Sequence, residues 1–285
     1  MTAELDELLE WLKTRHGVHV PETQRAFVAA FVESRQKARG WSEYRAALET
    51  DDGERNALID ASTIGETYFF RDEAQFRVLR NEILPRFRRH FGRLPTIWSA
   101  ACSTGEEALS LLLLLADAWG LPVESCRGHV WASDVNRTSL HAFEGGVFRP
   151  NSVREDGQGF HRLLEPYLDT PSGTVRVPKA VVDLVERRPV NLIADDLEAL
   201  PRKFDLVVLR NMMIYVALEE RPTIYRRIVD RLSDEGVLIL GKAELPFFHD
   251  DEMSLAELDG TFVFVRNSSS VWTSTERRKA WPART

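Results

Sequence analysis

Hydrophobic positions in the first sixty residues recur at helical intervals. Leu5, Leu8, Leu9 and Leu12 follow the i, i+3, i+4, i+7 spacing of one helix face, with acids in the opening turn. Pro21 opens a second pattern through Phe27, Val28, Phe31 and Val32, and Gly40 supplies its stop. Tyr44 with Leu48, and Leu58 with Ile59, mark two shorter helices. These patterns predict a small helical domain over residues 1–60.

From about residue 94 the texture changes. Short apolar runs at 96–100, 129–133, 204–209, 236–240 and 261–265 read as strands, separated by helical patterns at 106–118, 137–143 and 219–232. Such alternation predicts an α/β, doubly wound, largely parallel sheet in a domain over 61–266, with ligands at the carboxyl ends of its strands. The stretch 147–190 breaks the rhythm with Pro150, Pro166, Pro171, Pro178 and Pro189. Its strand-like pieces at 174–177 and 181–186 predict an inserted subdomain with a small antiparallel element. The SSS, TST and RRK runs after Asn267 predict a disordered tail over 267–285.

Composition narrows the class. A chain of 285 residues, 44% hydrophobic and 28% charged, buries a globular core, and its net charge of −7 argues against a dedicated nucleic-acid binder. Its two cysteines, Cys102 and Cys126, form no CxxC pair, which fits a reducing compartment and excludes a disulfide framework. The N-terminus has acids where an export signal needs a basic leader, and no apolar run approaches the roughly 18 residues of a membrane span. We therefore expect a cytoplasmic protein without membrane insertion, and a monomer, since no feature requires a second copy.

Four stretches carry candidate chemistry. WSAACSTGEEALS (98–110) joins a strand to a helix; Gly105 permits close backbone approach, but Glu106 and Glu107 would repel a phosphate and suit a cationic amine. Its alternative is an ordinary first helical turn, where acids are favoured. Asp134 ends the second strand about 30 residues on, placed either to accept ribose hydroxyls or to cap the next helix. FDLVVLRNMMIY (204–215) delivers Arg210 and Asn211 to a strand's carboxyl end, with Tyr215 beyond, as ligand contacts or as turn and core residues. ETYFFRD (66–72) offers three aromatics and Arg71, either walling an adenine or stapling two domains with Arg71 paired to Asp72. Two basic sets, seven arginines in 71–93 and Arg35, Lys37 and Arg39, read as solvated faces or as a docking surface for an acidic partner.

Together these stretches resemble the CheR-type family of chemotaxis receptor methyltransferases. ETYFFRD, IWSAACSTGEE (97–107), WASDVN (131–136), Asn191-Leu192, FDLVVLRNMMIY and GVLILGKAE (236–244) stand in the family's order across about residues 60–265. The resemblance implies a Rossmann-like S-adenosyl-L-methionine methyltransferase sheet with an N-terminal helical domain and an inserted β-subdomain. It implies esterification of glutamate side chains on methyl-accepting chemotaxis receptors, with S-adenosyl-L-homocysteine as product. The implied cofactor contacts are Thr67, Arg71, Glu106, Asp134, Asn191, Leu192, Arg210 and Asn211, with Tyr215 near the transferred methyl. Of the paired acids, Glu106 is expected to touch the cofactor and Glu107 to support the helix start. The chain departs from the family at Gly65, where many members have asparagine, at Ala108-Leu109, where the family has Pro-Tyr, and at Ala243, where it has serine.

The implied chemistry needs no catalytic base. A glutamate carboxylate, with a pKa near 4.3, is already ionised at neutral pH, so the protein has only to align it and exclude water. Arg71 is expected to steer or partly neutralise that carboxylate, and Tyr215 to orient the methyl donor. The alternatives are a methyltransferase with another protein or small-molecule target, or a cofactor-binding regulatory module. A dinucleotide dehydrogenase is disfavoured because no G-x-G-x-x-G follows a strand.

Overall fold

The computed structural model describes residues 2–63, 65–273 and 277–278. Before the first strand come α1 (Thr2–His16), α2 (Glu22–Arg39), α3 (Trp41–Thr50) and α4 (Asp52–Ser62). Their apolar stripes close around Leu8, Leu12, Val28, Val32, Tyr44, Leu48 and Leu58, all buried. Gly40 ends α2 at a φ of 79°, and the Asp51 carboxylate caps α4 by accepting the Gly53 N–H at 2.8 Å. The basic set on α2 is largely consumed internally. Arg35 and Arg39 pair with the buried Glu54 at 3.4 and 3.3 Å, and Lys37 pairs with Glu33 at 2.9 Å.

A longer helical passage runs through α5 (Glu73–Val78), a π-helical turn (Leu79–Ile83) and α6 (Leu84–Phe91). Pro85, which has no N–H to give, sits just after that turn, where the wider helix accommodates it. The arginines here are mostly engaged: Arg77 with Glu73, Arg80 with Asp117, and Arg93 with the buried Asp205 at 2.6 and 2.9 Å. The remaining helices are α7 (Glu106–Trp119), α8 (Arg137–Gly145), α9 (Lys179–Val182) and α10 (Arg221–Asp230).

The strands are β1 (Ile97–Ala100), β2 (Val130–Asp134), β3 (Val147–Phe148), β4 (Leu168–Asp169), β5 (Thr174–Arg176), β6 (Val185–Pro189), β7 (Phe204–Leu209), β8 (Leu232–Leu240), β9 (Met253–Leu258), β10 (Thr261–Arg266) and β11 (Arg277–Arg278). Eight form one sheet in the order β11-β9-β10-β8-β7-β1-β2-β6, parallel from β8 to β6, with β10 antiparallel between β8 and β9. This is a Rossmann-like doubly wound α/β sheet. Its central strands β1 and β7 are buried along their whole length. Ile97, Leu206 and Val208 face one apolar cluster with the α7 leucines, while Trp98, Val207 and Leu209 face a second with Ile224 and Ile228 of α10.

Two expectations need correction. The insertion was expected to run to 190, but its sheet is β3-β5-β4, and the next strand, β6, pairs in parallel with β2 as an edge of the main sheet. Its half-buried charged residues disguise an edge strand as part of the insertion. The tail expected to be disordered is instead anchored to the fold at several of its described residues. Trp272 is 1% exposed with the Arg86 guanidinium 4.6 Å from its ring centre, Glu235 accepts the Ser270 and Val271 N–H groups, and Arg277–Arg278 pairs with β9. Residues 274–276 and 279–285 lie outside the described residues. Replacing Trp272 by alanine is expected to cost about 3–5 kcal/mol of unfolding free energy in a urea titration. A loss below about 1 kcal/mol, the size of an ordinary surface change, would contradict this packing.

Candidate functional site

β1 and β7 are neighbours whose chain connections leave in opposite directions, through α7 on one face and α10 on the other. Ligand crevices form at such a switch point. Over these carboxyl ends lies a cleft of roughly 940 Å3, partly open to solvent. Thr67, Arg71, Asp134, Asn191, Leu192, Arg210, Asn211 and Tyr215 all line it; Glu106 does not, and Glu107 does.

The turn after β1 bends through left-handed backbone at Ala101 (φ 61°), Ser103 (52°) and Gly105 (94°). A Cβ on Gly105 would lie 2.3 Å from the Phe143 ring, so only glycine fits. Asp134 holds this turn, accepting the Ser103 N–H at 2.7 Å with one carboxylate oxygen and the Asn136 N–H at 2.8 Å with the other. Burial pushes the Asp134 carboxyl up from the usual aspartate range, against the pull of those N–H donors. The helix-capping role falls to Asn136, which accepts the Ser139 N–H at 2.7 Å.

The paired acids divide their work opposite to expectation. Successive helical side chains point about 100° apart, so only one can face the cleft. Glu106, 3% exposed, points toward the insertion and accepts hydrogen bonds from the Thr104 and Ser152 hydroxyls at 2.7 and 2.8 Å. Burial raises its pKa. Glu107 accepts the Ser99 hydroxyl at 2.6 Å and Arg210 Nε at 2.8 Å.

Arg210 is itself largely engaged within the protein. Its Nη1 donates to the Arg71 carbonyl at 2.6 Å and to Gln75 Oε1 at 3.0 Å, and Gln75 Nε2 donates to the carbonyl of Leu240. Asn211 follows at a φ of 56°, and beneath it the buried Glu244 accepts the Met213 N–H at 3.3 Å. Burial raises the Glu244 pKa as well. Asn191 organises its own loop, accepting the Ile193 N–H at 2.9 Å and donating to the His16 carbonyl at 3.0 Å.

In the 66–72 loop, Phe69 and Phe70 are fully buried against Phe148, Phe76 and Phe160, so they staple the fold and do not wall a ligand. Arg71 does not pair with Asp72, whose carboxylate lies 3.5 Å from Lys242 and 3.8 Å from Arg210. Its guanidinium instead rests 5.3 Å from the Tyr68 ring centre and donates to the Glu66 carbonyl at 3.0 Å. Across the cleft, burial and then Glu66 raise the Tyr215 pKa, and Arg71 opposes them. The phenol stays protonated at neutral pH.

The sequence reading missed one wall altogether. His16, Gly17 and Val18, from the α1–α2 connection, line the cleft; Val18 bridges Val216, and the His19 N–H donates to the Tyr215 carbonyl at 2.9 Å. A Cβ on Gly17 would meet the Ile193 side chain at 1.9 Å. Burial, then Arg55, lowers the His16 pKa, and burial, then Asp134 and Glu107, keeps the Cys102 thiol protonated. At Gly65 a Cβ would lie 2.8 Å from Ser103 Oγ, which donates to the Gly65 carbonyl. The described residues hold no group of three His, Cys, Asp or Glu suited to a metal ion, and no helix long and apolar enough to cross a membrane.

Residues 65–261 match the family model described as CheR methyltransferase, SAM binding domain. The chain is 35% identical over 211 residues to the chemotaxis protein methyltransferase of Klebsiella aerogenes, covering 72% of this chain and 69% of that one. It is 31% identical over 248 residues to that of Salmonella typhimurium, covering 85% and 83%. Against that of Escherichia coli it is 30% identical over 248 residues, covering 85% and 84%.

Exchanging Arg210 for alanine leaves the Glu107 carboxylate buried without its cation, and is expected to destabilise the protein by about 3–5 kcal/mol in chemical unfolding. An unchanged midpoint would show that the pair is not sealed from water as described.

Proposed function

The chain belongs to the CheR methyltransferase family, which binds S-adenosylmethionine, and on that footing we propose that it methylates glutamate side chains of methyl-accepting chemotaxis receptors. The observation that carries this reading is the cleft's division of charge. Glu107 and Asp134 line it together with Arg71 and Tyr215, and its thiol and imidazole are held uncharged. Such a site receives a cationic cofactor and an anionic substrate, and needs neither a nucleophile nor a base of its own.

The bound cofactor supplies an electrophilic methyl group, which leaves as a glutamate methyl ester with S-adenosylhomocysteine as the second product. Asp134 fits the ribose hydroxyls, and Glu107, in place of Glu106, provides the negative charge facing the amino-acid end. Thr67, Asn191, Leu192 and Asn211 complete the walls, with Arg210 fixing Glu107. Arg71 steers and partly neutralises the ionised substrate carboxylate. Tyr215, protonated, orients the methyl donor. Positioning of this kind supplies about 7–11 kcal/mol of a barrier. The catalytic unit is the sheet domain with its insertion, the helical unit of α1–α4 closing one wall, and the partner is a receptor's cytoplasmic helices, which puts the protein in the cytoplasm.

Incubation with methyl-labelled cofactor and receptor-bearing membranes is expected to yield a base-labile ester on protein; label in nucleic acid or in small molecules alone would refute the reading. Arg71→Ala should lower kcat/KM about a hundredfold and Tyr215→Phe about tenfold, and wild-type rates in both would remove their assigned roles. Asp134 accepts ribose hydroxyls more strongly when ionised, and burial raises its pKa. Cofactor affinity should therefore fall as the pH drops, starting at a higher pH than for an ordinary aspartate. Asp134→Asn should bind about tenfold to a hundredfold more weakly and lack this acid limb in calorimetric titrations; an unaltered limb would assign it to another group.

A further inference from the structure

Arg71 stands between two residues with left-handed backbone, Phe70 at a φ of 53° and Asp72 at 59°. Neither is glycine, so this conformation persists only where surrounding bonds impose it. Part of the imposing comes from outside the main sheet. A segment of the insertion, 152–157, lies along the 66–73 loop and touches it repeatedly. The Ser152 carbonyl accepts the Phe69 N–H at 2.9 Å, and a Cβ on Gly157 would lie 2.9 Å from the Phe69 carbonyl oxygen. Arg154 pairs with Glu66 at 2.9 Å and stacks 4.3 Å from the Tyr68 ring centre.

Asp156 makes the contacts closest to Arg71. One of its carboxylate oxygens accepts the Tyr68 hydroxyl at 2.7 Å and the Asp72 N–H at 2.8 Å; the other accepts the Glu73 N–H at 3.1 Å. It thereby fixes the backbone immediately after Arg71 and the ring on which the Arg71 guanidinium rests. The Tyr68 phenol is pushed up to about 12, chiefly by burial and then by its bond to Asp156, so it remains a donor. Partial desolvation pushes the exposed Asp156 carboxyl up, but those same donors outweigh it and hold the group below the usual aspartate range.

We propose that Asp156 is a positioning residue for Arg71, through which the inserted subdomain sets the guanidinium that meets the substrate carboxylate. The inference rests on the role proposed above for Arg71. The test is a double-mutant cycle of wild type, Asp156→Ala, Arg71→Ala and the double variant, followed with labelled cofactor at saturation and receptor membranes, long enough to measure slow proteins. Asp156→Ala is expected to lower kcat about tenfold or more. In the Arg71→Ala background the same change should alter kcat less than about twofold, because the group it positions is gone. Equal losses in both backgrounds would show that Asp156 only holds the fold, and would overturn the proposal. An active Asp156→Ala beside a crippled Arg71→Ala would overturn it while leaving the role of Arg71 intact; an active Arg71→Ala would remove that role, and the proposal with it. Tyr68→Phe, which deletes one hydroxyl, serves if Asp156→Ala does not fold: it should show the same coupling at about two- to tenfold, and its absence would count against the proposal equally.

Discussion

Burying the Arg210 guanidinium beside the Glu107 carboxylate, with both side chains at 10% exposure or less, is tolerable only because further partners converge on the same cation. An ion removed from water needs its charge matched and its donors occupied. Here the partners come from separate elements: Glu107 from the start of α7, Gln75 from α5 and the Arg71 carbonyl from the loop before it. Gln75 then reaches the end of β8. One strand-end arginine therefore ties the start of α7, the Arg71 loop and two neighbouring strands into one frame. The cleft has its shape because that frame has little freedom to relax.

The same edge of the sheet collects backbone strain. Of the seven non-glycine residues with positive φ among the described residues, Phe70, Asp72, Ala101, Ser103 and Asn211 lie in loops at the cleft. Each such residue costs on the order of 1–3 kcal/mol, and three of them have a carboxylate restraint at hand. Asp134 holds Ser103, Asp156 holds Asp72, and Glu244 lies under the Asn211 loop. Carboxylates that accept backbone N–H groups thus recur at three of these bends, from the exposed Asp156 to the fully buried Glu244.

Most of the sheet was legible because parallel central strands, covered on both faces, read as unbroken apolar runs, and Phe204–Leu209 was located to the residue. Edge strands follow no such rule. The edge strand Val185–Pro189 carries Glu186, Arg187 and Arg188, so only its first two residues fell in a strand-like run, and Met253–Leu258, paired between β11 and β10, mixes polar with apolar positions and did not declare itself. Trp272 was hidden in a polar stretch, where a single aromatic leaves no period to detect. At the cleft, the motifs marked loops that do line it but not the phase of the first turn of α7, which decides whether Glu106 or Glu107 faces it. The wall formed by His16, Gly17 and Val18 left no signal because the loop residues they touch, Asn191, Ile193 and Val216, stand 175 or more positions away.

That wall has a consequence for how this architecture divides. Val18 bridges Val216, the His19 N–H is bonded to the Tyr215 carbonyl, and the Asn191 side chain to the His16 carbonyl, so the helical unit is sewn to the loops of the sheet through its main chain. Grafting helices from a distant relative onto this sheet would transplant a piece of the cleft along with any docking face they carry. A working chimera would therefore have to carry the α1–α2 connection together with the loops of the sheet it is bonded to.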